Sequence, residues 1–238
     1  VALRIKAPYG SVGLYETALC GMLSSSTAWA TAANECVRAA DGKPVIALAA
    51  RYVHPNTAAN VDYASIVGGC VSCSTILGAR LAGVTPSGNM PYELPLIMGD
   101  TVRAAESFDA HMPQEVPRIA VVDTFKDEAE EALNVARSLR ERLRGIRLDT
   151  PPERGGVTPD LVREVRARLD QAGFHHVEIF VSGSFTAEKI SNFVVSKVPV
   201  DGFGVGRYIA SAPPNQFIAD IHEIDGRPAA KRGRIPGT

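Results

Sequence analysis

The second half of this chain alternates between short apolar runs and longer segments with helical spacing of apolar residues. The short runs predict buried β-strands at residues 118–123, 145–149, 177–181 and 200–205. The longer segments predict helices at residues 127–143, 159–172 and 186–196. Strands that alternate with helices of this length indicate βαβ units, and therefore a parallel sheet or barrel.

The first half follows the same rhythm less regularly. Helices are predicted at residues 14–40, 60–81 (with a break at the two glycines 68 and 69) and 95–109. Strands are predicted at residues 3–7, 44–49 and 84–87. After residue 213 the pattern changes to two extended segments around Asp225 and Gly226, which predict an antiparallel hairpin. The pattern as a whole predicts the α/β class.

Composition narrows the class of protein. The 238 residues are 45% hydrophobic and 21% charged, which is typical of a soluble globular chain. A net charge of −1 gives no electrostatic reason to expect a nucleic-acid partner, and no apolar run is long enough to predict a membrane span. Four cysteines fit a reducing, cytoplasmic compartment, and the Cys70–Cys73 pair is predicted to be buried rather than metal-binding. Because the sequence begins directly on a predicted strand, we expect a fragment, a processed product or one part of a split protein.

Polar residues and glycines follow the predicted strands of the second half. They are Asp123 after the first strand, Arg147 and Asp149 at the second, Ser182, Gly183 and Ser184 after the third, and Gly204, Gly206 and Arg207 at the fourth. In parallel βα folds the reactive residues lie at the carboxyl ends of the strands. Arg147 and Asp149 are two residues apart and point to the same side, so they either bind an anionic ring and a diol together or form a structural ion pair.

Three further features have weaker patterns. The glycine-rich turns suit a close backbone approach to a phosphate, although tight packing also explains such glycines. Arg51 and His54 follow the strand predicted at 44–49, where Arg51 is either an anion ligand or a surface residue. The charged residues of the helix at 127–143 predict a solvated face, made of Glu128, Glu130, Glu131, Arg137, Arg140 and Arg142.

Taken together, these motifs resemble the nicotinate phosphoribosyltransferase family in order and spacing. In the second half they are VVDTFKD (121–127), GIRLDT (145–150), IFVSG (179–183) and VDGFGVG (200–206). In the first half and the tail they are PYG (8–10), LYET (14–17), AWATAA (28–33), ARYVH (50–54), GGC (68–70), SGNMP (87–91) and AKRGRIPG (230–237). The resemblance covers nearly the whole chain, and its specificity lies in the set of motifs.

The resemblance implies a fold with an incomplete parallel β/α barrel and a flanking α/β sandwich domain. Residues 13–212 would form the barrel, and residues 1–12 and 213–238 would be a remnant of the sandwich. The implied reaction joins nicotinate to phosphoribosyl pyrophosphate with Mg²⁺, giving nicotinate mononucleotide and pyrophosphate. The implied partners are these small molecules, together with further copies of the chain in a homo-oligomer or a separate chain that supplies the N-terminal domain. The resemblance implies no nucleic-acid or membrane partner.

The resemblance also implies roles for individual residues. Arg147 would hold the pyridine carboxylate, Asp149 would bind ribose hydroxyls, and Asp123 would support the ribose; both aspartates would lie at the metal. Arg51 and His54 would meet phosphate or nicotinate. The 5′-phosphate would be held by Ser182, Gly183, Ser184, Gly204, Gly206 and Arg207.

Tyr92 marks the main departure from the family pattern. It is placed among the substrate-binding residues, where many members carry a histidine that they phosphorylate from ATP, so ATP coupling is not expected here. Ser184 and Arg207 also replace a glycine and a threonine of the family pattern. Two alternatives therefore stay open: a relative with another aromatic nitrogen acceptor, such as quinolinate, and a non-catalytic or partner-dependent subunit.

Overall fold

The computed structural model of the protein describes residues 2–236. The chain divides into two compact units, one formed by Trp29–Ala212 and the other by Val1–Ala28 together with Pro213–Thr238. The division falls inside one long helix, Glu16–Ala39. Each unit is described separately below, and the assignment of residues 1–12 and 213–238 to a sandwich domain stays a prediction.

The larger unit is built on one six-stranded sheet in which all neighbouring strands are parallel. Its strands are β1 (Val45–Ala47), β2 (Ser72–Cys73), β3 (Ile119–Val121), β4 (Gly145–Leu148), β5 (Glu178–Val181) and β6 (Gly202–Val205). They lie in the order β2-β1-β6-β5-β4-β3. This sheet confirms the predicted α/β fold with an incomplete parallel barrel.

Helices follow most of the strands, and capping side chains fix where several of them begin. They are α1 (Tyr9–Val12), α2 (Glu16–Ala39), α3 (Pro55–Val67), α4 (Ile76–Ala82), α5 (Glu93–Met98), α6 (Thr101–His111), α7 (Glu128–Leu139), α8 (Pro159–Gln171), α9 (Ala187–Val195) and α10 (Arg207–Ala210). The side chains of Asp100, Asp127, Thr158 and Thr186 each accept a backbone N–H in the first turn of the helix that follows. Such caps satisfy amides that have no partner inside the helix.

The core of the larger unit lies between the sheet and its helices. Ile146 and Leu148 on β4 are fully buried, as are Ile179 and Val181 on β5. An aromatic cluster closes the side near α9, where the Phe185 ring lies 5.1 Å from that of Phe193 and 5.7 Å from that of Phe203.

Three of the four cysteines, Cys36, Cys70 and Cys73, are packed into this core. Cys70 and Cys73 are buried free thiols, and their burial raises the pKa of Cys70 to about 12 and that of Cys73 to about 11. Within residues 2–236, no group of three or more His, Cys, Asp or Glu side chains could hold a metal ion. The burial of both thiols confirms the interpretation of these residues as small buried hydrophobes.

An irregular segment at residues 84–92, within the connection from β2 to β3, is hydrogen-bonded to both of these edge strands. The strand predicted at residues 84–87 is wrong, because these residues form no ladder. Instead, the Ser87 amide donates to Cys73 O (2.9 Å) at the end of β2, and the Met90 amide donates to Ile119 O (2.9 Å) on β3. The two-residue strand β2 was not predicted, since its pairing with β1 comes from tertiary contact rather than from a local apolar run.

The smaller unit has little regular structure. The strand predicted at residues 3–7 is wrong: no strand is present there, and Leu3 and Ile5 are exposed. Alternation alone does not form a strand, because its backbone groups need a pairing partner. Val1 lies outside the described residues. The predicted hairpin is present but short, with β7 (Glu223–Ile224) antiparallel to β8 (Arg227–Pro228). Its turn residues Asp225 and Gly226 both have positive φ angles, as the Asp-Gly turn predicts.

Across residues 2–236, every helix is too short or too polar to cross a lipid bilayer.

Candidate functional site

A cavity of about 440 Å³ opens at the carboxyl ends of four strands of the larger unit. It is lined by Leu48, Arg51, Tyr52, Arg147, Asp149, Thr150, Pro151, Pro152, Gly155, Gly156, Ser182, Gly183, Ser184, Lys189, Gly204, Gly206 and Arg207. The strands bring these residues together because their registers align: Leu148 on β4 is opposite Val181 on β5, and Val181 is opposite Phe203 on β6. Most of the residues that the sequence singled out therefore share one cavity.

Arg147 is held from three sides at this end of the sheet. Its Nε donates to Ser182 Oγ (2.7 Å), its Nη1 donates to Asn89 Oδ1 (2.8 Å), and its Nη2 donates to an Asp149 oxygen, Oδ2. A guanidinium has five N–H donors, so the two that these contacts leave can bind a ligand. The contacts fix the plane of the guanidinium, which favours two-point recognition of a carboxylate.

A chain of hydrogen bonds runs from Asp149 to β3 and beyond. The Asp149 amide donates to Asp123 Oδ2 (2.8 Å), and the Tyr92 hydroxyl donates to Asp123 Oδ1 (2.5 Å). Asp123 therefore uses both oxygens inside the protein and does not line the cavity. By contrast, Asp149 Oδ1 has no hydrogen-bond partner among the described residues, which leaves one carboxylate oxygen available to a ligand.

Burial shifts the ionisation of this chain. Asp123 is 9% exposed, and its burial raises the pKa of its carboxyl above the ordinary value, although the hydrogen bonds from Tyr92 and from the Asp149 amide act in the opposite direction. Burial and the neighbouring Asp123 charge also raise the pKa of the Tyr92 hydroxyl well above its ordinary value. Tyr92 is therefore a hydrogen-bond donor, not a phenolate.

Two glycines let the backbone approach the cavity closely. Gly183 has φ +92°, and a Cβ at this position would lie 2.9 Å from Asp149 Oδ1. At Gly206, a Cβ would lie 2.6 Å from Leu48 O. Ser184 also adopts a positive φ of 54°, which is an uncommon conformation for serine. The turn after β5 thus presents backbone and hydroxyl groups, rather than bulky side chains, to a ligand.

The cavity has an excess of positive charge. Arg51, Arg147, Lys189 and Arg207 line it, against the single carboxylate of Asp149. Arg147 is paired with that carboxylate, and within residues 2–236 the other three cations have no carboxylate partner. Because cations at a partly enclosed surface attract and orient anions, the arrangement suits a ligand with several negative charges.

Two glutamates of α7 hold the loops that follow β3 and β4. Glu128 and Glu131 are buried, so the prediction of a fully solvated face on this helix is wrong. Glu131 accepts the backbone N–H groups of residues 124, 125 and 126 after β3, at 2.8–3.1 Å. Glu128 accepts the Thr150 hydroxyl (2.8 Å) after β4. The only sequence signal was their place in the first turn of a helix that directly follows a site strand.

Two further residues of the site were not predicted. Asn89 orients Arg147 from the irregular segment between β2 and β3, and only its place in the SGNMP motif could have indicated it. Lys189 lines the cavity from the first turn of α9. The feature of the sequence that could have indicated Lys189 is its position six residues after Gly183, at the start of the helix that follows the glycine turn.

His54 and Tyr92 do not line the cavity. The imidazole of His54 is exposed and caps α3, where its Nδ1 accepts the Asn56 amide (3.2 Å). Tyr92 reaches the site only through Asp123. Direct substrate contact by either residue stays a prediction, whereas the position of Tyr92 favours a role in holding Asp123.

Replacing Tyr92 by Phe tests that role. Loss of a hydrogen bond to a buried charged group is expected to lower the free energy of unfolding by about 1.5–3 kcal/mol, measured by urea denaturation. Because the pKa of Asp123 is raised in the folded state, its contribution to stability is lost as the pH rises through that pKa. Tyr92→Phe raises the pKa further, so the deficit should be largest above the pKa of Asp123 and shrink below it, where the carboxyl is protonated in both proteins.

Tyr208 provides a matched control for this variant. Its hydroxyl donates to Glu35 Oε2 (2.7 Å), a pair that lies at the surface. Tyr208→Phe is therefore expected to change stability by less than about 1 kcal/mol. Equal losses in the two variants, or a Tyr92→Phe deficit that does not depend on pH, would contradict the role assigned to Tyr92.

Comparisons with known proteins agree with this geometry. The family described as quinolinate phosphoribosyl transferase, C-terminal domain, matches residues 29–219. Nicotinate phosphoribosyltransferase pncB2 of Mycobacterium tuberculosis is 31% identical over 214 residues, which are 89% of this chain and 45% of that protein. Nicotinate phosphoribosyltransferase of Bacillus subtilis is 24% identical and covers 93% of this chain and 45% of its own length. The chain thus spans about half the length of the curated relatives it matches.

Solved structures show the same fold. The crystal structure of nicotinate-nucleotide pyrophosphorylase from Pyrococcus furiosus is 46% identical, with a TM-score of 0.88 over 95% of this chain and 57% of that one. Human nicotinic acid phosphoribosyltransferase is 19% identical, with a TM-score of 0.74 over 98% of this chain and 55% of that one, and this likeness concerns the fold alone. With the family match spanning most of the chain, this protein belongs to the nicotinate and quinolinate phosphoribosyltransferase family.

Proposed function

We propose that this chain transfers the phosphoribosyl group of phosphoribosyl pyrophosphate to nicotinate, giving nicotinate mononucleotide and pyrophosphate. The observation that supports it best is Arg147, a guanidinium held in a fixed plane beside a carboxylate with one free oxygen. A pyridine carboxylate and a ribose diol match these two groups. The relatives from Mycobacterium tuberculosis and Bacillus subtilis are named for nicotinate, which favours this acceptor.

The chemistry of the transfer explains why a carboxylate is needed. The pyridine nitrogen forms a bond to the anomeric carbon while the bond to pyrophosphate breaks, and the electron pair leaves with pyrophosphate. Positive charge develops on the ribose ring in the transition state, where Asp149 stabilises it. Arg147 orients the pyridine ring through its carboxylate, and Asp123 fixes the backbone of Asp149 through the amide hydrogen bond.

Mg²⁺ is proposed as the metal that accompanies phosphoribosyl pyrophosphate. The donor set fits it through Asp149 Oδ1, because Mg²⁺ is commonly held by one or two carboxylates together with substrate phosphates and water. Asp123 fits less well as a direct ligand, since both of its oxygens already accept hydrogen bonds. When bound, the metal would neutralise charge on the leaving pyrophosphate.

A pyridine dicarboxylate such as quinolinate is the second candidate acceptor. The excess of cations in the cavity favours it, because Arg51, Lys189 and Arg207 have no carboxylate partner among the described residues. The same cations also suit the phosphates of phosphoribosyl pyrophosphate. Activity within a homo-oligomer, or with a second chain that supplies further residues, is part of the proposal.

A transfer assay with a panel of acceptors tests the function. The full chain would be incubated with phosphoribosyl pyrophosphate, Mg²⁺ and one of nicotinate, quinolinate or nicotinamide, and mononucleotide and pyrophosphate would be measured by chromatography and mass spectrometry. We expect product with nicotinate and little with nicotinamide, which has no carboxylate. Product only with quinolinate would replace the acceptor, and no product at any oligomeric state would contradict the proposal.

ATP provides a separate arm of the same assay. Because Tyr92 stands where many relatives carry a histidine that becomes phosphorylated, we expect the same rate with and without ATP and no added phosphate on the intact protein. A phosphohistidine at His54 or His111 during turnover would contradict this expectation and require a different assignment of the site.

A further inference from the structure

We propose that Lys189 is the cation that binds the 5′-phosphate of the ribose and so makes the site selective for a phosphorylated sugar. This inference rests on the proposed function and adds to it a residue that the motifs did not indicate. Lys189 belongs to the first turn of α9, on the β5 side of the cavity.

The ammonium of Lys189 is half-buried and has few partners. Its Nζ lies 3.4 Å from Gly183 O and 4.3 Å from the centre of the Phe185 ring. Among the described residues, no carboxylate lies within ion-pair distance of it. A hydrogen bond of 3.4 Å to a carbonyl and a contact with an aromatic face offset only part of the free-energy cost of removing an ammonium from water. Two of its three N–H donors are therefore available to an anion in the cavity.

The position of Lys189 selects among the anionic groups of the substrates. Arg147 also contacts Asn89 and borders a small void of about 30 Å³ inside the barrel, so the pyridine carboxylate is expected on that side. The ribose, whose hydroxyls meet Asp149, would lie next to it. Lys189 lines the same cavity beside the turn after β5, where its Nζ reaches Gly183 O, and we expect the phosphate at the other end of the ribose to meet it there.

The electrostatics of Lys189 fit the same role. Burial lowers its pKa, while the nearby Asp149 charge opposes that shift. A phosphate would supply the negative charge that the ammonium lacks in the free protein. The competing explanation is structural: Lys189 would cover the Phe185 ring and fix the Gly183 carbonyl without touching a ligand.

Calorimetric titration with ribose 5-phosphate, and with ribose as the unphosphorylated reference, separates the two explanations. We expect Lys189→Met to weaken binding of ribose 5-phosphate by about 10- to 100-fold, the range for losing a hydrogen bond between charged groups. Lys189→Arg should retain affinity within about fivefold, because it keeps the charge. Unchanged affinity for ribose 5-phosphate in Lys189→Met would overturn the inference, as would a wild-type protein that binds ribose and ribose 5-phosphate alike.

Lys43 offers a matched control at the opposite end of the sheet. It is also half-buried, and its Nζ donates to a single carbonyl, Val200 O (2.7 Å), next to the amino end of β1. Lys43→Met is expected to lower thermal stability without changing the affinity for ribose 5-phosphate. If both lysine variants weaken the ligand equally, the effect is structural and the inference fails.

A second measurement needs no variant and therefore survives poor folding of Lys189→Met. Ribose 5-phosphate should protect Lys189 of the wild-type protein from acetylation by acetic anhydride, whereas ribose should not, and Lys43 should react equally in both. Lack of protection would overturn the inference. Protection without any transfer to a pyridine carboxylate would leave the phosphate site standing and contradict only the proposed function.

Discussion

Asp149→Asn is expected to lower kcat by about 10²- to 10³-fold, the scale for removing one electrostatic contact to a transition state. Asparagine keeps the shape of the side chain and a group that can bind ribose hydroxyls, but it removes the negative charge. That charge matters most when positive charge develops on the ribose ring. The Kd for nicotinate, measured by calorimetry in the same variant, should change by less than about fivefold, because the proposed contact of the pyridine carboxylate is with Arg147.

The control for this variant is a second aspartate in an arginine pair of similar burial. Asp109 lies 2.9 Å from Arg118, and both side chains are about as buried as those of Asp149 and Arg147. Asp109 does not line the cavity, so Asp109→Asn should lower stability and leave kcat within about twofold. A loss of turnover no larger for Asp149→Asn than for Asp109→Asn would exclude Asp149 as the catalytic carboxylate.

Arg147→Ala is expected to remove roughly 2–4 kcal/mol of binding free energy for nicotinate, since it truncates one partner of a partly buried charge pair. Binding of phosphoribosyl pyrophosphate should weaken much less, because its phosphates are proposed to contact the other cations of the cavity. Titration calorimetry with each ligand separately measures both effects. If Arg147 and Asp149 pair only with each other, the two ligands would weaken alike and both variants would chiefly lower thermal stability.

Two further variants sharpen the test of Arg147. Arg144 directly precedes β4, at the amino end of the strand, and it pairs with Glu178 (2.7 Å). Because the cavity lies at the carboxyl end, Arg144→Ala should leave the affinities for both ligands unchanged. The double variant Arg147→Ala/Asp149→Asn is expected to be non-additive, because the two side chains are in direct contact. Strict additivity would contradict the coupled arrangement that the structure shows.

Local patterns predicted the second half of the fold better than the first. The runs around β3, β4, β5 and β6 were recognised because each is a short and mostly buried apolar run that follows or precedes a periodic helix. β2 has only two residues and forms because β1 lies beside it. The segment at residues 3–7 is the opposite case: its alternating pattern predicted a strand, but no strand forms there because the segment has no pairing partner among the described residues.

The prediction of a solvated charged face on α7 failed because two of its glutamates are buried. Glu128 and Glu131 look like solvated residues in a row of charges, yet their carboxylates are turned toward the loops after β3 and β4. A helical periodicity gives the direction of a side chain around the helix axis, but not whether a loop folds back over it. The anchoring of both loops could therefore not be predicted from the sequence.

The sequence by itself determined the succession of strands and helices in the second half of the chain. It also placed Arg147, Asp149, Ser182 and Gly204 at strand ends, because parallel βα units put such residues on one edge. Only the tertiary structure decided which of these meet a ligand and which hold their neighbours. In it, Tyr92 binds Asp123 and Asp123 binds the Asp149 amide, whereas Lys189 lines the cavity itself. The reason is that hydrogen bonds and desolvation depend on distances between residues far apart in the chain, which no local pattern specifies.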